Sequence, residues 1–181
     1  RFFLDWAELP RDEPSALYNL KYLYALQHAG KLAGQTKRSS AARRWKQQEN
    51  RHIAALRKAF CRQGKWYDTR RGPARSQHLA TFLVLTGIVN GSAAKRLMDE
   101  AVACSLEKPG NPLILASPYM HYYLFEALNT LNRQEDIEQI IQLRWGRWLQ
   151  SGAETTWENW EVDFPDGSEC HAWSAHPLLY L

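Results

Sequence analysis

The feature that most constrains this chain is the rhythm of its connections. Six stretches carry apolar residues at the 3.6-residue period of an α-helix, and the links between them alternate between tight and long. The first follows Pro14 and Ser15, runs through Leu17, Leu20, Tyr24 and Gln27, and fades across the glycines at 30–34. The second takes Ser39 or Ser40 as N-cap and keeps Ala42, Trp45, Glu49, Ile53, Leu56 and Phe60 in register. The third spans Ser76 to Val89, where Asn90-Gly91 breaks it, and Ser92 is read as the cap of a fourth through Leu97, Ala101 and Cys104. Ser117-Pro118, a cap followed by proline at the first helical position, opens the fifth with Tyr122, Leu124, Leu128 and Leu131. The sixth holds Ile137, Ile140, Ile141, Arg144, Trp145 and Trp148, and stops at Ser151-Gly152. No period-2 run of β-branched residues occurs, so no strand is expected.

The connections after helices one, three and five are tight (34–37, 90–91, 132–133), whereas those after two, four and six are long (62–75, 107–116, 150–172). Tight links force antiparallel neighbours, and in an up-and-down array every second link emerges at the same end. The long loops should therefore gather at one end together with the opening segment. That end would bring together Asp5, Trp6, Trp66, Tyr67, Asp68, Asn111, Trp157, Glu158, Trp160 and His171. Charged and aromatic loop residues converging on a helical scaffold suit a carbohydrate site. The hairpins share no internal sequence period, which argues against a helical solenoid; a toroid of helical hairpins accepts the rhythm without repetition.

Composition bounds the alternatives. A chain of 181 residues with 45% apolar and 23% charged side chains fits one globular domain, 1–181. No apolar run approaches the length of a membrane span. The net charge of +4 arises mainly between Lys31 and Arg75, where basic residues alternate with apolar ones as on the solvated face of an amphipathic helix; nucleic-acid binding is not expected. Cys61, Cys104 and Cys170 are odd in number and widely spaced. They suggest neither a disulfide framework nor a metal site, and do not fix the compartment. No metal-ligand spacing and no phosphate-cradling glycine loop is present, so no cofactor is expected.

Aromatic residues reach 12%, and several lie in loops, where packing explains them poorly. The densest case is 151–181, which sets Glu154, Glu158, Glu161, Asp163, Asp166 and Glu169 among Trp157, Trp160, Trp173, His171 and His176. A carboxylate flanked by tryptophans suits general acid or base work, because apolar walls raise its pKa while nearby donors tune it.

The run TTWENW followed by CHAWSAHP resembles the late catalytic loop and next helix of bacterial α-L-rhamnosidase-type six-hairpin glycosidases. RFFLDWAEL resembles that family's F-x-DW segment, SPYMHYYLFEAL its inner helix before the catalytic loop, and GKWYDTRRGPARSQHLATFLVLTGI its loop leading into a serine-glutamine helix. The resemblance runs along essentially the whole chain. It implies an all-α fold, an (α/α) six-hairpin toroid of which this chain holds about half. The implied activity is inverting hydrolysis of terminal α-L-rhamnosides. It further implies Glu158 as general base, His171 as a sugar contact, and Trp6 and Trp66 as aromatic residues around the sugar. Tyr67, Trp157 and Asp5 join them as candidate substrate contacts on the same face.

Inversion needs a second carboxylic acid about 6.5–9.5 Å from the base. In the family that acid lies upstream of F-x-DW, so neither Asp5 nor Glu8 matches it. The implied partners are a rhamnoside substrate, the remaining half of the barrel and flanking β-domains. Alone, the chain is expected to be inactive, with Tyr122, Phe125 and Trp145 left without packing partners. A fucosidase- or glucuronidase-like glycosidase of the same architecture, or a carbohydrate-binding toroid without chemistry, are the alternative readings.

Overall fold

A computed structural model describes residues 3–11, 14–161 and 167–181. Six helices follow the expected rhythm: α1 (Ala16–Gln35), α2 (Ser39–Phe60), α3 (Gln77–Leu85), α4 (Gly91–Ser105), α5 (Pro118–Asn129) and α6 (Gln134–Gln150). Three begin on serines whose hydroxyls accept an otherwise orphaned N–H of the first turn: Ser15 from Tyr18, Ser76 from Leu79 and Ser117 from Met120. α2 and α4 do not use the expected serine caps. Arg38 and Asn90 hold those positions without a side-chain cap bond, and Ser39 and Ser92 are already helical. α3 stops at Leu85, short of Val89. Gly87 turns into the left-handed region at φ 68°, and the N–H of Val89 folds back onto the Leu83 carbonyl at 3.1 Å.

The expectation of no strand is corrected by a small hairpin, β1 (Cys61–Arg62) with β2 (Lys65–Trp66). Gln63 and Gly64, at φ 50° and 76°, form the two-residue turn whose twist matches paired strands. Two residues on each side are too few for a period to show in sequence.

α3 is the centre of the molecule. Its segment Gln77–Val84 is buried throughout, with α1, α4 and α5 packed around it. One core cluster joins the opening segment, α1, α2 and α3; a second joins α3 to α4, α5, α6 and the closing segment. Burying polar groups demands partners, and Gln77 has them all. Its Nε2 donates to the Ala101 carbonyl and the Ser105 hydroxyl, both at 2.7 Å, while Oε1 accepts the Ala116 N–H at 2.7 Å.

The long connections meet at the N-termini of α1, α3 and α5. The Ala16 N–H donates to the Asp68 carbonyl, the Gln77 N–H to the Ile114 carbonyl, and the Trp160 indole to the Ala116 carbonyl. The inner end of α5 is closed by the closing segment. Phe125 and Trp145, expected to lack partners, are 0% and 7% exposed. His176 lies 5.4 Å from each ring, Tyr180 lies 5.3 Å from Phe125, and the Trp145 indole donates to the Ser174 carbonyl at 2.8 Å. Tyr122 is half-buried against His176. No helix among the described residues is long and apolar enough to cross a membrane.

Candidate active site

Glu158 lies on a loop that is bonded back onto itself. Its N–H donates to the Ser168 carbonyl at 2.8 Å, and the Ser168 N–H returns to its Oε2 at 3.1 Å. The His171 N–H donates to the Thr156 carbonyl at 2.7 Å, and the Thr156 hydroxyl to the His171 carbonyl at 2.9 Å. These bonds hold Glu158 and His171 side by side, with His171 Nδ1 3.9 Å from Glu158 Oε2. The Glu158 side chain is only 13% exposed. Its Oε1 accepts no hydrogen bond from a described residue. A carboxylate with one oxygen held and the other without a protein donor can orient and deprotonate a water. Asp163 and Asp166 lie outside the described residues.

The tryptophans of this loop anchor it. Trp160 sits in a cluster with Trp145, Trp148 and His121 at centroid distances of 4.8, 5.5 and 4.9 Å, and its indole is bonded to the Ala116 carbonyl at 2.7 Å. Trp157 lies against Trp148 at 5.6 Å. The pair straddles Glu158 and pins it to α6, which accounts for tryptophan in a loop by packing. Trp173 takes the other side: its ring lies 4.0 Å from His171 and 5.1 Å from Tyr119. Beyond Tyr119 the aromatic wall continues through Tyr123 to Tyr24 on α1. Lys21 lies over it, its Nζ 5.7–6.0 Å from the ring centres of Tyr119, Tyr123 and Phe82. Sequence reading passed over Lys21. Its spacing from Tyr24 and His28 along α1, three and seven residues, was the available signal.

The other candidates separate. Trp6 is 44% exposed, packed edge-on against Phe3. Trp66 is buried on a different face of α3 from the aromatic wall, lining a cavity of about 500 Å³ with Leu79, Leu83 and Leu97. The Tyr67 ring carries the Arg62 guanidinium 3.8 Å above it, and Arg62 also donates to the carbonyls of Thr69, Arg70 and Gly72, so the pair stiffens the loop. The structure does not bring Trp66 or Tyr67 into contact with Glu158 or His171.

Asp5 is buried, and both its oxygens are engaged within the protein. Oδ2 meets His78 Nε2 at 2.6 Å and accepts the Ser117 N–H at 2.9 Å, while Oδ1 accepts the Ser117 hydroxyl. A carboxylate so occupied positions α3 and α5. His121 is likewise internal. Burial pushes its imidazole down to about 3, so it is neutral, its Nδ1–H donating to the Ser117 carbonyl and its Nε2 accepting from Ser105. Asp68 stands beside this layer, with its carboxyl pushed up to about 6 by burial despite the Ser76 hydroxyl on Oδ1. Among the described residues, no group of three or more His, Cys, Asp or Glu side chains could hold a metal ion.

Residues 2–181 match the family described as bacterial alpha-L-rhamnosidase 6 hairpin glycosidase domain. Among solved structures, the chain is similar to a GH78 family rhamnosidase of Bacillus sp. GL1, with a TM-score of 0.80 at 22% identity over 98% of this chain and 20% of that one. It is also similar to a rhamnosidase from Klebsiella oxytoca with rhamnose bound, with a TM-score of 0.76 at 26% identity over 97% of this chain and 34% of that one. The chain thus spans only 20% and 34% of these relatives' lengths. No curated protein matches it.

Proposed function

The chain belongs to the bacterial α-L-rhamnosidase six-hairpin glycosidase family, and on that premise we propose that it supplies the general-base half of a site hydrolysing terminal α-L-rhamnosides with inversion. α1, α3 and α5 form part of the inner wall of an (α/α) toroid, and the rest of the barrel and its flanking domains come from the remainder of a longer protein. The observation that carries the reading is Glu158: nearly buried, held through Oε2 by the Ser168 N–H, and flanked by His171.

In this mechanism, Glu158 Oε1 accepts a proton from a water as that water attacks the anomeric carbon on the face opposite the leaving group. A carboxylic acid from the other half of the barrel, about 6.5–9.5 Å away, protonates the departing oxygen. His171 bonds a sugar hydroxyl and keeps Glu158 aligned. Trp6 and Trp173 offer ring faces to the sugar, whereas Asp5, Trp66, Tyr67 and Trp157 hold the surrounding loops in place.

Stereochemistry tests the reading. Proton NMR of the first turnovers of the full-length protein on an α-L-rhamnoside should show β-L-rhamnose appearing before mutarotation. Initial release of the α-anomer would overturn inversion and require a carboxylate close enough to act as nucleophile.

A further inference from the structure

We propose that Arg144 of α6 is a positioning residue for the reaction, its guanidinium locking the ring of Trp160, two residues beyond Glu158, onto the C-terminal end of α4. The proposal rests on the hydrolase reading above and adds a residue that acts through the catalytic loop rather than on the substrate.

Arg144 stands in the apolar stripe of α6, among Ile137, Ile141, Trp145 and Trp148, and its side chain is only 7% exposed. Its Nε donates to the Ser105 carbonyl at 2.6 Å, Nη2 donates to the Cys104 carbonyl at 3.3 Å, and Nη1 lies 2.9 Å from Glu107 Oε1. Both carbonyls belong to the last turn of α4, where the helix offers no further N–H and α4 has no basic residue of its own. A cation from α6 therefore closes the end of α4 and faces the negative end of its dipole. The same guanidinium lies 5.6 Å from the Trp160 ring centre, within reach of the ring's π-face.

The other supports of Trp160 lead back to the same helix end. The His121 ring meets Trp160 edge-on at 4.9 Å, and its Nε2 lies 2.9 Å from the Ser105 hydroxyl. The Trp160 indole donates to the Ala116 carbonyl, and the Ala116 N–H donates to Gln77, which itself donates to the Ser105 hydroxyl. Ser105 thus joins Arg144, His121 and Gln77. Stability alone does not call for arginine here, because apolar residues of similar volume often replace a buried ion pair without loss. What the planar fork adds is direction: its donors fix the guanidinium plane, and that plane fixes the indole beside it. Glu158 hangs between this anchor and the Ser168 N–H. Near reacting atoms, a displacement of about 1 Å can cost roughly a hundredfold in rate.

The test is steady-state kinetics of the full-length protein on an aryl α-L-rhamnoside. Arg144→Met keeps the aliphatic stem and removes the fork. Arg144→Lys keeps the charge without the planar face, and serves where the methionine variant does not fold. Each should lower kcat about tenfold while KM stays within about twofold of wild type. In a Glu158→Gln background neither change should lower kcat by more than about twofold, because the base that Arg144 aligns is already disabled. Arg147→Gln, which removes the exposed partner of Glu107, should leave kcat unchanged. Unchanged kcat in the Arg144 variants, a loss carried by KM, or an equal loss with and without Glu158 would overturn the proposal and leave Arg144 as a packing residue. Near-normal turnover by Glu158→Gln alone would instead overturn the base assignment, and this proposal with it.

Discussion

Asp5 and Ser117 are joined twice across 112 residues: the Ser117 N–H donates to Asp5 Oδ2 at 2.9 Å, and the Ser117 hydroxyl donates to Oδ1. His78 Nε2 completes the cluster at 2.6 Å from Oδ2. One buried carboxylate thereby fixes the opening segment against the N-termini of α3 and α5, the helices that carry the aromatic wall. Burial alone would raise its pKa, but the hydrogen bond and charge of His78 and the two bonds from Ser117 prevail and hold it below the ordinary value.

Removing that carboxylate should therefore destabilise the fold. Asp5→Ala strips the acceptors from His78 and Ser117 and should cost roughly 3 kcal/mol in equilibrium unfolding. The penalty should depend on pH in a defined direction. A carboxyl with a depressed folded-state pKa contributes stability above its unfolded pKa, and that contribution is lost as pH falls through the folded value. The gap between wild type and Asp5→Asn should thus be widest near neutrality and narrow in acid. A gap constant from about pH 7 to pH 3 would contradict this.

Asp68 should behave in the opposite way. Its carboxyl is buried, bonded only through Oδ1, and titrates at about 6. A raised folded-state pKa means that the associated stability is complete below the unfolded pKa and disappears as pH rises through the folded one. Asp68→Asn keeps the acceptor for Ser76 and removes the charge. Relative to wild type it should gain about 2 kcal/mol between pH 4 and pH 7.5, read as a Tm difference that grows with pH. A difference that does not grow would show that water reaches the carboxylate.

The helices and their polarity were legible in the sequence because caps and period agree locally: Ser15, Ser76 and Ser117 each precede a stripe that packs inward. The convergence of the long loops followed from link length alone. The roles of single residues were less accessible. Asp5 resembles a surface carboxylate until its partner 112 residues away is in place. Trp160 invites a sugar-stacking reading until Trp145, Trp148 and the Ala116 carbonyl surround it. The Cys61–Trp66 hairpin has too few residues to show a period, and Lys21 looks like any helix-surface lysine until Tyr119 and Tyr123 of α5 are packed against it.

The anchoring of the loop can be separated from its chemistry at Trp160. Trp160→Phe keeps an aromatic ring among Trp145 and Trp148 but loses the bond to the Ala116 carbonyl. It should cost about 1 kcal/mol in stability. If that bond aligns Glu158, kcat in the full-length protein should also fall several-fold, with KM changing less. Loss of stability with undisturbed kcat would limit Trp160 to packing.

The central claim is that Glu158 removes a proton from the attacking water. Glu158→Gln keeps the size of the side chain and its bond to the Ser168 N–H but cannot accept that proton. In the full-length protein kcat on an α-L-rhamnoside should fall by about 10²–10⁴ while KM changes little, the pattern of an interaction made only in the transition state. The same change at Glu154 or Glu169, on the same loop, should leave kcat within a few-fold of wild type. Near-normal turnover by Glu158→Gln would contradict the assignment.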